Sequence, residues 1–394
     1  MTTSDRDRPP RRLSKMICAD DFRIAARRRL PRMVFDYIDG GAGSEATLRE
    51  NRAAIEAVRL LPSAPADVAA CDQSVNLFGT TCSMPVIIGP TGAASASWPR
   101  GEIAFAKVAR AHGILYVLSN STSIAPEEVA NAGGANMWFQ LYLPSDREIA
   151  RQWVERVRRA GFTGLQVTVD VAVPGYRHRD IKNGFVLPFT WTAGKFLDVA
   201  RRPGWALSML RYGTPVPYLQ VEAARDAGRA STQSEARRHR FTRSLSWDAM
   251  KMLRDEWSGP LVVKGIMDPD QATKAVETGI DGIVISNHGG RQLDGAVSPM
   301  EMLPEIRAAV GQRLVLLIDG GFQSGVDIVK ALALGADAVQ MGRAPVFALA
   351  TAGADGVDRF LTLLRAELDS AMALCGVTSL EQLDPSRLRG LTNQ

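Results

Sequence analysis

The sequence predicts a TIM (β/α)8 barrel, and three features of the chain carry this prediction. Eight short apolar segments have the length and composition of strands, and nearly all are followed by a segment with helical periodicity. The strands are apolar along their whole length, as parallel strands covered on both faces are. The span 84–374 fits one such barrel of about 250 residues with a long insertion. A doubly wound sheet is the alternative, although no strand ends in the glycine fingerprint of a dinucleotide site.

The chain before the barrel is predicted to be an arm followed by helices. Residues 1–15 are polar and arginine-rich and lack the apolar core of a signal peptide, which predicts a disordered arm. Residues 19–59 have helical periodicity, which the glycines of 39–43 interrupt. A single domain is expected over 16–383, followed by a C-terminal tail at 384–394.

Strands and helices alternate through the barrel region. The predicted strands are 84–90, 114–120, 137–143, 164–170, 260–266, 281–287, 314–320 and 338–343. The predicted helices are 101–111, 126–132, 146–160, 268–278, 299–310, 326–334 and 357–374.

Polar residues and glycines stand at the C-terminal end of every predicted strand. In a TIM barrel these ends meet at one rim, where the active site lies. The regularity predicts a catalytic pocket at that rim. The residues are Pro90, Thr91, Gly92, Ser119, Gln140, Tyr142, Thr168, Asp170, Lys264, Ser286, His288, Asp319, Gly320, Gly321, Gly342 and Arg343.

The run from Ser286 to Gly295 is the most informative stretch of the sequence. His288 can transfer a proton near neutral pH, and Arg291 offers a planar fork to a carboxylate. The two glycines between them allow the backbone to approach a ligand closely. This arrangement predicts an enzyme that acts on a small acid with a removable proton. The structural alternative is a glycine turn with a satisfied histidine and a solvated arginine.

A long insertion is predicted between the fourth and fifth strands, at about 171–259. A segment of this length is typical of a functional lid or of disorder. Its middle part, 189–212, mixes apolar and aromatic residues with cations, and Asp198 is its only acid. That composition suits contact with an anionic membrane surface, while a lid packed on the barrel is the equal alternative. Residues 223–243 are polar and arginine-rich, which predicts mobility.

Composition excludes several classes of protein. The chain is 46% hydrophobic and 23% charged, as soluble globular proteins are. A net charge of +5 with scattered basic residues does not call for a nucleic-acid partner. The four cysteines show neither metal spacing nor a disulfide framework, which predicts a reduced, cytoplasmic protein without a metal site. No apolar run reaches the ~18 residues of a membrane span.

Five motifs of the sequence resemble the FMN-dependent L-2-hydroxy acid oxidases and dehydrogenases. The resemblance covers nearly the whole chain and implies a TIM barrel with FMN as cofactor. Within the family the motifs resemble the (S)-mandelate dehydrogenases most, and bacterial membrane lactate dehydrogenases nearly as well. The motifs are 36–42, 90–92 with 98–101, 138–142, 170–180 and 286–294.

The resemblance implies where FMN would bind. Backbone amides of Gly320, Gly321 and Gly342, together with Arg343, would meet its phosphate, and Gln323 stands where the family usually has an arginine. Asp319 would hold the ribityl hydroxyls, and Lys264 would lie beside the N1/C2 carbonyl edge. The remaining implied cofactor residues are Pro90, Thr91, Gly92, Ser119, Gln140, Thr168 and Ser286.

The resemblance also implies catalytic roles. Arg177 and Arg291 would clamp the substrate carboxylate, with hydroxyls from Tyr37 and Tyr142. His288 would be the general base, removing either the hydroxyl proton or the α-hydrogen, and Asp170 would stabilise the imidazolium. Both routes give a 2-keto acid. His112, His178 and His239 lack this context and are interpreted as structural or surface residues.

Substrate and acceptor are further expectations from the resemblance. Oxidases of the family often have alanine at the position of Gly92, so glycine favours a dehydrogenase that reduces a quinone-type acceptor and leaves room for a phenyl group. The prediction is oxidation of (S)-mandelate to benzoylformate by a homo-oligomer, peripheral on the inner face of the cell membrane. An L-lactate dehydrogenase or an oxygen-using oxidase is the alternative within the family. A flavin isomerase, an IMP-dehydrogenase-like enzyme and a non-catalytic barrel are the rivals outside it.

Overall fold

Eight parallel strands close into a barrel in the computed structural model, which confirms the predicted fold class. The barrel order is β10-β11-β4-β5-β6-β7-β8-β9. The structure describes residues 13–92, 94–144, 146–184, 191–213, 215, 218 and 245–389. Its strands are β1 Arg59–Leu60, β2 Val75–Leu77, β3 Thr80–Cys82, β4 Val86–Ile88, β5 Leu115–Ser119, β6 Met137–Leu141, β7 Gly164–Thr168, β8 Leu261–Ile266, β9 Gly282–Ile285, β10 Val315–Ile318, β11 Ala338–Met341 and β12 Leu388–Arg389.

Helices surround the barrel and precede it. The described α-helices are α1 Ala19–Arg29, α2 Arg32–Asp39, α3 Ala46–Ala57, α4 Ala94–Ser97, α5 Gly101–His112, α6 Pro126–Gly133, α7 Arg147–Arg159, α8 His178–Lys182, α9 Ala193–Ala200, α10 Pro203–Tyr212, α11 Trp247–Glu256, α12 Pro269–Glu277, α13 Pro299–Val310, α14 Gly325–Ala333 and α15 Arg343–Leu374. Non-helical residues Ala352 and Gly353 divide α15 into two helical stretches. The predicted helix 357–374 lies in the second stretch, whereas the first, which begins at Arg343, was not predicted.

A hairpin that was not predicted closes the N-terminal end of the barrel. It consists of β2 and β3, which pair antiparallel. Leu77 is fully buried among the inward-facing residues of the strands. The ring of Phe78 lies 4.9 Å from the Trp138 ring, centroid to centroid. With this end filled by side chains, a ligand can enter only at the opposite end, where the strands finish.

Three predicted boundaries need correction. The insertion ends at Ser246 rather than near 259, because α11 packs on the barrel through Ala249, Met250 and Leu253 as an outer helix. Leu13–Lys15 form a 3-10 turn with Leu13 buried, so these residues do not belong to a disordered arm. The tail is ordered as far as β12, which pairs with β1 through backbone hydrogen bonds. Residues 1–12 and 390–394 lie outside the described residues.

The described middle of the insertion forms two short helices, α9 and α10, with few contacts to the barrel. Trp205 is the only buried residue of the pair, and its indole N–H donates to the Ala96 carbonyl at 2.8 Å. Large apolar side chains on both helices face outward. None of the helices in the described part of the chain is both long and apolar enough to cross a membrane. The expectation for 223–243, with His239, concerns residues that the structure does not describe.

Candidate active site

A cavity of about 670 Å³ opens at the C-terminal mouth of the barrel. Seventeen of the twenty predicted site residues line it, and Gln140, Asp170 and Ser286 do not. Those three instead contact residues that line the cavity or its wall. The lining residues are Tyr37, Pro90, Thr91, Gly92, Ser119, Tyr142, Thr168, Arg177, Lys264, His288, Arg291, Asp319, Gly320, Gly321, Gln323, Gly342 and Arg343.

His288 is held by Asp170 and by its own backbone. Its Nδ1 lies 3.0 and 3.1 Å from the two carboxylate oxygens of Asp170, which leaves Nε2 as the ring nitrogen for other partners. The backbone of His288 has φ +59°, a left-handed conformation that non-glycine residues adopt rarely and often at functional sites. The Ser286 hydroxyl accepts from its backbone N–H at 3.0 Å. The imidazole therefore has a fixed orientation.

Burial works against ionisation of Asp170, but the attraction of His288 and Lys264 is stronger. The net effect lowers the pKa of Asp170 below its ordinary value. The carboxylate is therefore charged at neutral pH. It is placed to stabilise a protonated His288.

Lys264 belongs to β8, close to its C-terminal end, and is buried inside the site. Its ammonium donates to the Ser286 hydroxyl at 2.6 Å and pairs with Asp319 at 2.7 Å. Burial disfavours the charge, yet Asp319 and Asp170 raise the pKa of Lys264 above its ordinary value. Ser286 therefore acts as a support between Lys264 and His288 rather than as a lining residue.

Two guanidinium groups, those of Arg177 and Arg291, lie over the ring of Tyr37. Their central carbons are 5.5 and 4.9 Å from the ring centroid. Arg177 pairs with Asp180 at 2.8 Å, whereas Arg291 donates to the carbonyls of Tyr37 and Gly40. Burial and the nearby charge of Arg177 lower the pKa of Arg291. An anion between the two groups would relieve both effects, so this corner suits a substrate carboxylate.

The part of the cavity lined by Gly320, Gly321 and Arg343 has features of a phosphate site. Gly320 and Gly321 have φ +100° and +96°, and an added Cβ would lie 3.2 and 3.0 Å from atoms of Asn51. Arg343 donates to the carbonyls of Ile38, Gly40 and Gly289. Burial and the charge of Arg291 lower the pKa of Arg343 to about 9. A bound phosphate would compensate this buried charge.

Two further residues that line the cavity, Arg52 and Gln340, were not predicted from the sequence. Arg52 lines the cavity, pairs with Asp327 at 2.6 Å and donates to the Gly321 carbonyl at 3.3 Å. Gln340 lines the cavity and donates to Gln166 at 2.9 Å inside the barrel. The two glutamines could have been noticed as polar residues inside otherwise apolar strands. Arg52 could have been noticed as an arginine on a helix that leads to the rim.

The bond between Asn51 and Asn287 was also missed. The two amides bond reciprocally at 2.8 and 2.7 Å, which ties α3 to the loop of His288. Gln292 likewise joins this loop to the start of the insertion, since its side chain accepts from Gly175 N–H and donates to the Asp170 carbonyl. No pattern in the sequence indicates which partners these amides have.

Comparison with known proteins decides the family. The family model for FMN-dependent dehydrogenases matches residues 26–390 of the chain. The chain belongs to the FMN-dependent dehydrogenase family. It is 40% identical to an (S)-mandelate dehydrogenase of Pseudomonas putida over 95% of this chain and 94% of that relative. It is 42% identical to an L-lactate dehydrogenase of Caulobacter sp. (strain K31) over 93% of this chain and 97% of that relative.

Solved structures agree with this membership. The monotopic membrane protein (S)-mandelate dehydrogenase superposes with a TM-score of 0.91 at 40% identity, covering 95% of this chain and all of that one. A mandelate oxidase superposes with a TM-score of 0.80 at 36% identity, covering 95% of this chain and 98% of that one. The chain is therefore an FMN-dependent oxidoreductase, as the motifs predicted.

Buried polar atoms of the site fit FMN. Four of them have no hydrogen-bond partner among the described residues, although buried polar atoms are normally paired. Gln140 Nε2 can donate to a flavin carbonyl, and Asp319 Oδ1 can accept from a ribityl hydroxyl. The hydroxyls of Thr91 and Thr168 can do either. A ligand with several carbonyls, hydroxyls and a phosphate would satisfy all of them.

The other reactive side chains lie outside this site. His112 pairs with Asp358 at 2.9 Å, and His178 packs edge-on against Tyr176 at the surface. All four cysteines are free and none lines the cavity. No group of three or more metal-ligating side chains occurs among the residues that the structure describes.

Proposed function

We propose that the protein oxidises an (S)-2-hydroxy acid to the 2-keto acid, with (S)-mandelate as the preferred substrate and benzoylformate as the product. The observation that carries the proposal is the pairing of His288 with Asp170 beside the guanidinium groups of Arg177 and Arg291, in one cavity. A base next to a carboxylate clamp is the minimum that such a reaction requires. The same cavity holds the residues that fit FMN.

Each of these residues has a distinct role in the proposed reaction. Arg177 and Arg291 hold the substrate carboxylate and so fix the α-carbon. His288 Nε2 accepts a proton from the bound acid, and Asp170 stabilises the resulting imidazolium. FMN, when bound, accepts the two electrons of the oxidation. The positive charge of Lys264 would stabilise negative charge that develops close to its ammonium group during the reaction.

The space beside Gly92 supports an aromatic substrate. A Cβ at this position would lie 3.1 Å from the Ser121 Cβ and 3.9 Å from the Tyr37 hydroxyl. A side chain here would therefore crowd Ser121 and contact the Tyr37 hydroxyl. Glycine avoids this crowding and keeps the cavity wall beside Tyr37 free of a side chain, which supports a bulky substrate. L-Lactate is the second candidate, because relatives with that activity in their names are as similar as the mandelate enzyme.

Steady-state kinetics with a dye acceptor test this assignment. We expect kcat/KM for (S)-mandelate to exceed that for L-lactate by at least about tenfold, which is the lower end of what one buried methylene group contributes in an apolar pocket. (R)-Mandelate serves as the matched control and should be inactive. A preference for L-lactate would move the protein to the lactate branch, and turnover of neither acid would refute the proposed reaction.

We infer that α9 and α10 touch a membrane, from which a quinone takes the electrons. Leu207 and Leu210 on α10 are 67% and 83% exposed, and Phe196 and Leu197 on α9 are 69% and 51% exposed. Lys195, Arg201 and Arg211 accompany them, which suits anionic lipid headgroups. This contact would hold a cytoplasmic enzyme on the inner face of the membrane. Assembly as a homo-oligomer remains part of the proposal.

A further inference from the structure

A second cavity lies apart from the barrel mouth. It has a volume of about 620 Å³ and is enclosed by α1, α2, α8 and the junction of α9 with α10. Arg23, Asp39 and Arg179 line both cavities and form the wall between them. No motif of the sequence predicted this cavity, and the proposed reaction does not use it.

The lining of the second cavity carries an excess of positive charge. Among the described residues, six cationic side chains and three carboxylates face it. The cations are Arg23, Arg27, Arg32, Arg179, Lys182 and Arg202. An excess of this kind inside a concave surface focuses the electrostatic potential and attracts anions.

The three carboxylates are already engaged by part of this set. Asp39 accepts from Arg23 at 2.6 Å and from Arg179 at 2.8 Å. Asp36 accepts from Arg32 at 3.2 Å and from Asn183 at 2.7 Å. Asp39 and Asp36 are therefore already paired and contribute little to neutralising the other cations of the lining.

The remaining carboxylate, Asp198, accepts from the backbone N–H of Arg32 at 2.6 Å. Arg27, Lys182 and Arg202 have no carboxylate partner in the part of the chain that the structure describes. Arg202 donates its Nε to the Leu30 carbonyl at 3.2 Å, and its two terminal nitrogens have no hydrogen-bond partner among the described residues. Three cations from three different elements therefore face one cavity without neutralisation.

We propose that this cavity binds a phosphate group, held by Arg27, Lys182 and Arg202. A phosphate presents several strong acceptor oxygens, so it can serve cations that approach from separate helices, whereas a carboxylate presents two. The cavity borders α9 and α10, whose apolar faces are exposed. The phosphate of an anionic lipid headgroup and a free phosphomonoester are the two sources of this chemistry.

The experiment compares two matched variants of the FMN-saturated enzyme, so that phosphate sites in the barrel mouth are occupied. The test variant is Arg27→Gln with Lys182→Gln. The control is Arg28→Gln with Lys251→Gln, which removes the same charge from exposed positions of α1 and α11, outside the cavity and outside α9 and α10. A triple variant that adds Arg202→Gln extends the series. The yellow colour and dye-linked turnover establish that each variant is folded.

Two probes distinguish the sources. Calorimetry with glycerol 3-phosphate measures a free phosphomonoester, and co-sedimentation with phosphatidylcholine vesicles, with and without phosphatidylglycerol, measures a headgroup. The vesicle arm rests on the proposed membrane contact, whereas the calorimetric arm does not. Each lost cation should weaken binding by roughly fivefold, so the test variant should lose at least about tenfold.

The outcomes distinguish binding in the second cavity from a general attraction between the positively charged protein and anions. Loss of glycerol 3-phosphate binding in the test variant alone supports a free phosphate ligand. Loss of binding to the anionic vesicles in the test variant alone supports a lipid headgroup. Equal losses in test and control variants, or no loss of either probe, overturn the proposal. Failure of the wild-type enzyme to bind any vesicle contradicts the membrane contact only, and calorimetry then decides alone.

Discussion

At the scale of single residues, the site depends on how His288 is held. Asp170, the Ser286 hydroxyl and a left-handed backbone fix the imidazole so that Nε2 is the nitrogen available to a substrate. The run of residues around His288 predicted its importance from the sequence. Asp170 was predicted as the end of another strand and, through the family resemblance, as the partner of His288; apart from that resemblance, no pattern in the sequence indicates that the two are in contact.

Replacing His288 with Ala removes the proposed base. We expect kcat with the preferred hydroxy acid to fall by about 10²–10⁴, the usual contribution of general base catalysis. FMN should stay bound, because none of the polar atoms that fit the cofactor belongs to the imidazole. Stopped-flow reduction and the flavin absorbance measure the two effects. Unchanged turnover would remove His288 from the mechanism.

Replacing Asp170 with Asn keeps the size of the side chain and removes its charge. The imidazolium of His288 then lacks its stabilising partner, so kcat should fall by roughly a hundredfold. The pH dependence of stability gives a second readout. The lowered pKa of Asp170 means that its charge stabilises the fold above the unfolded-state pKa of about 3.9, and that this stabilisation is lost as the pH falls through the folded-state pKa.

The stability difference between wild type and Asp170→Asn, measured as the free energy of unfolding, should therefore not decrease from pH 7 to about pH 4. The difference should narrow only at lower pH. Denaturant titrations over this range supply the measurement. A difference that already narrows between pH 7 and pH 5 would show that the carboxyl group titrates near neutrality, contrary to its pairing with His288 and Lys264.

At the scale of elements, the β2–β3 hairpin separates the stability of the barrel from its chemistry. Leu77 is fully buried at the end of the barrel that is opposite to the cavity. Leu77→Ala should lower the free energy of unfolding by about 2–5 kcal/mol through the lost burial and the resulting cavity. Thr81→Ala, on the exposed side of the same hairpin, should change it by less than about 0.5 kcal/mol. Urea unfolding of the holoenzyme measures both, and a large loss of kcat/KM in folded Leu77→Ala would contradict the separation.

The helices α9 and α10 provide a second test at this scale. Leu207→Asp with Leu210→Asp should abolish binding to anionic vesicles, because both side chains lie in the exposed apolar face. Stability and dye-linked turnover should be unchanged. Ala193→Asp with Ala200→Asp adds the same charge to exposed positions of α9 without removing a large apolar side chain, and serves as the control. Retained vesicle binding in the leucine variant would place the membrane contact elsewhere.

At the scale of the whole molecule, apolar strands with polar ends were enough to predict the barrel and the members of its rim. The hairpin of β2 and β3 was not predicted, because a strand of three residues is too short to show a recognisable pattern of apolar residues. Helix α11 was predicted as part of the insertion. Its face of Ala249, Met250 and Leu253 can be recognised as buried only when the barrel against which it packs is known. The second cavity depends on ion pairs between α1, α2 and α8, which only the folded chain brings together.

The measurement that tests the central claim most directly is anaerobic absorbance of the purified holoenzyme mixed with (S)-mandelate. We predict that the flavin band bleaches rapidly in the wild-type enzyme. His288→Ala should retain the band and bleach slower by orders of magnitude. A wild-type protein whose flavin stays yellow with (S)-mandelate and with L-lactate, or a His288→Ala variant that bleaches as fast as wild type, would contradict the account of an FMN-dependent hydroxy acid dehydrogenase with His288 as its base.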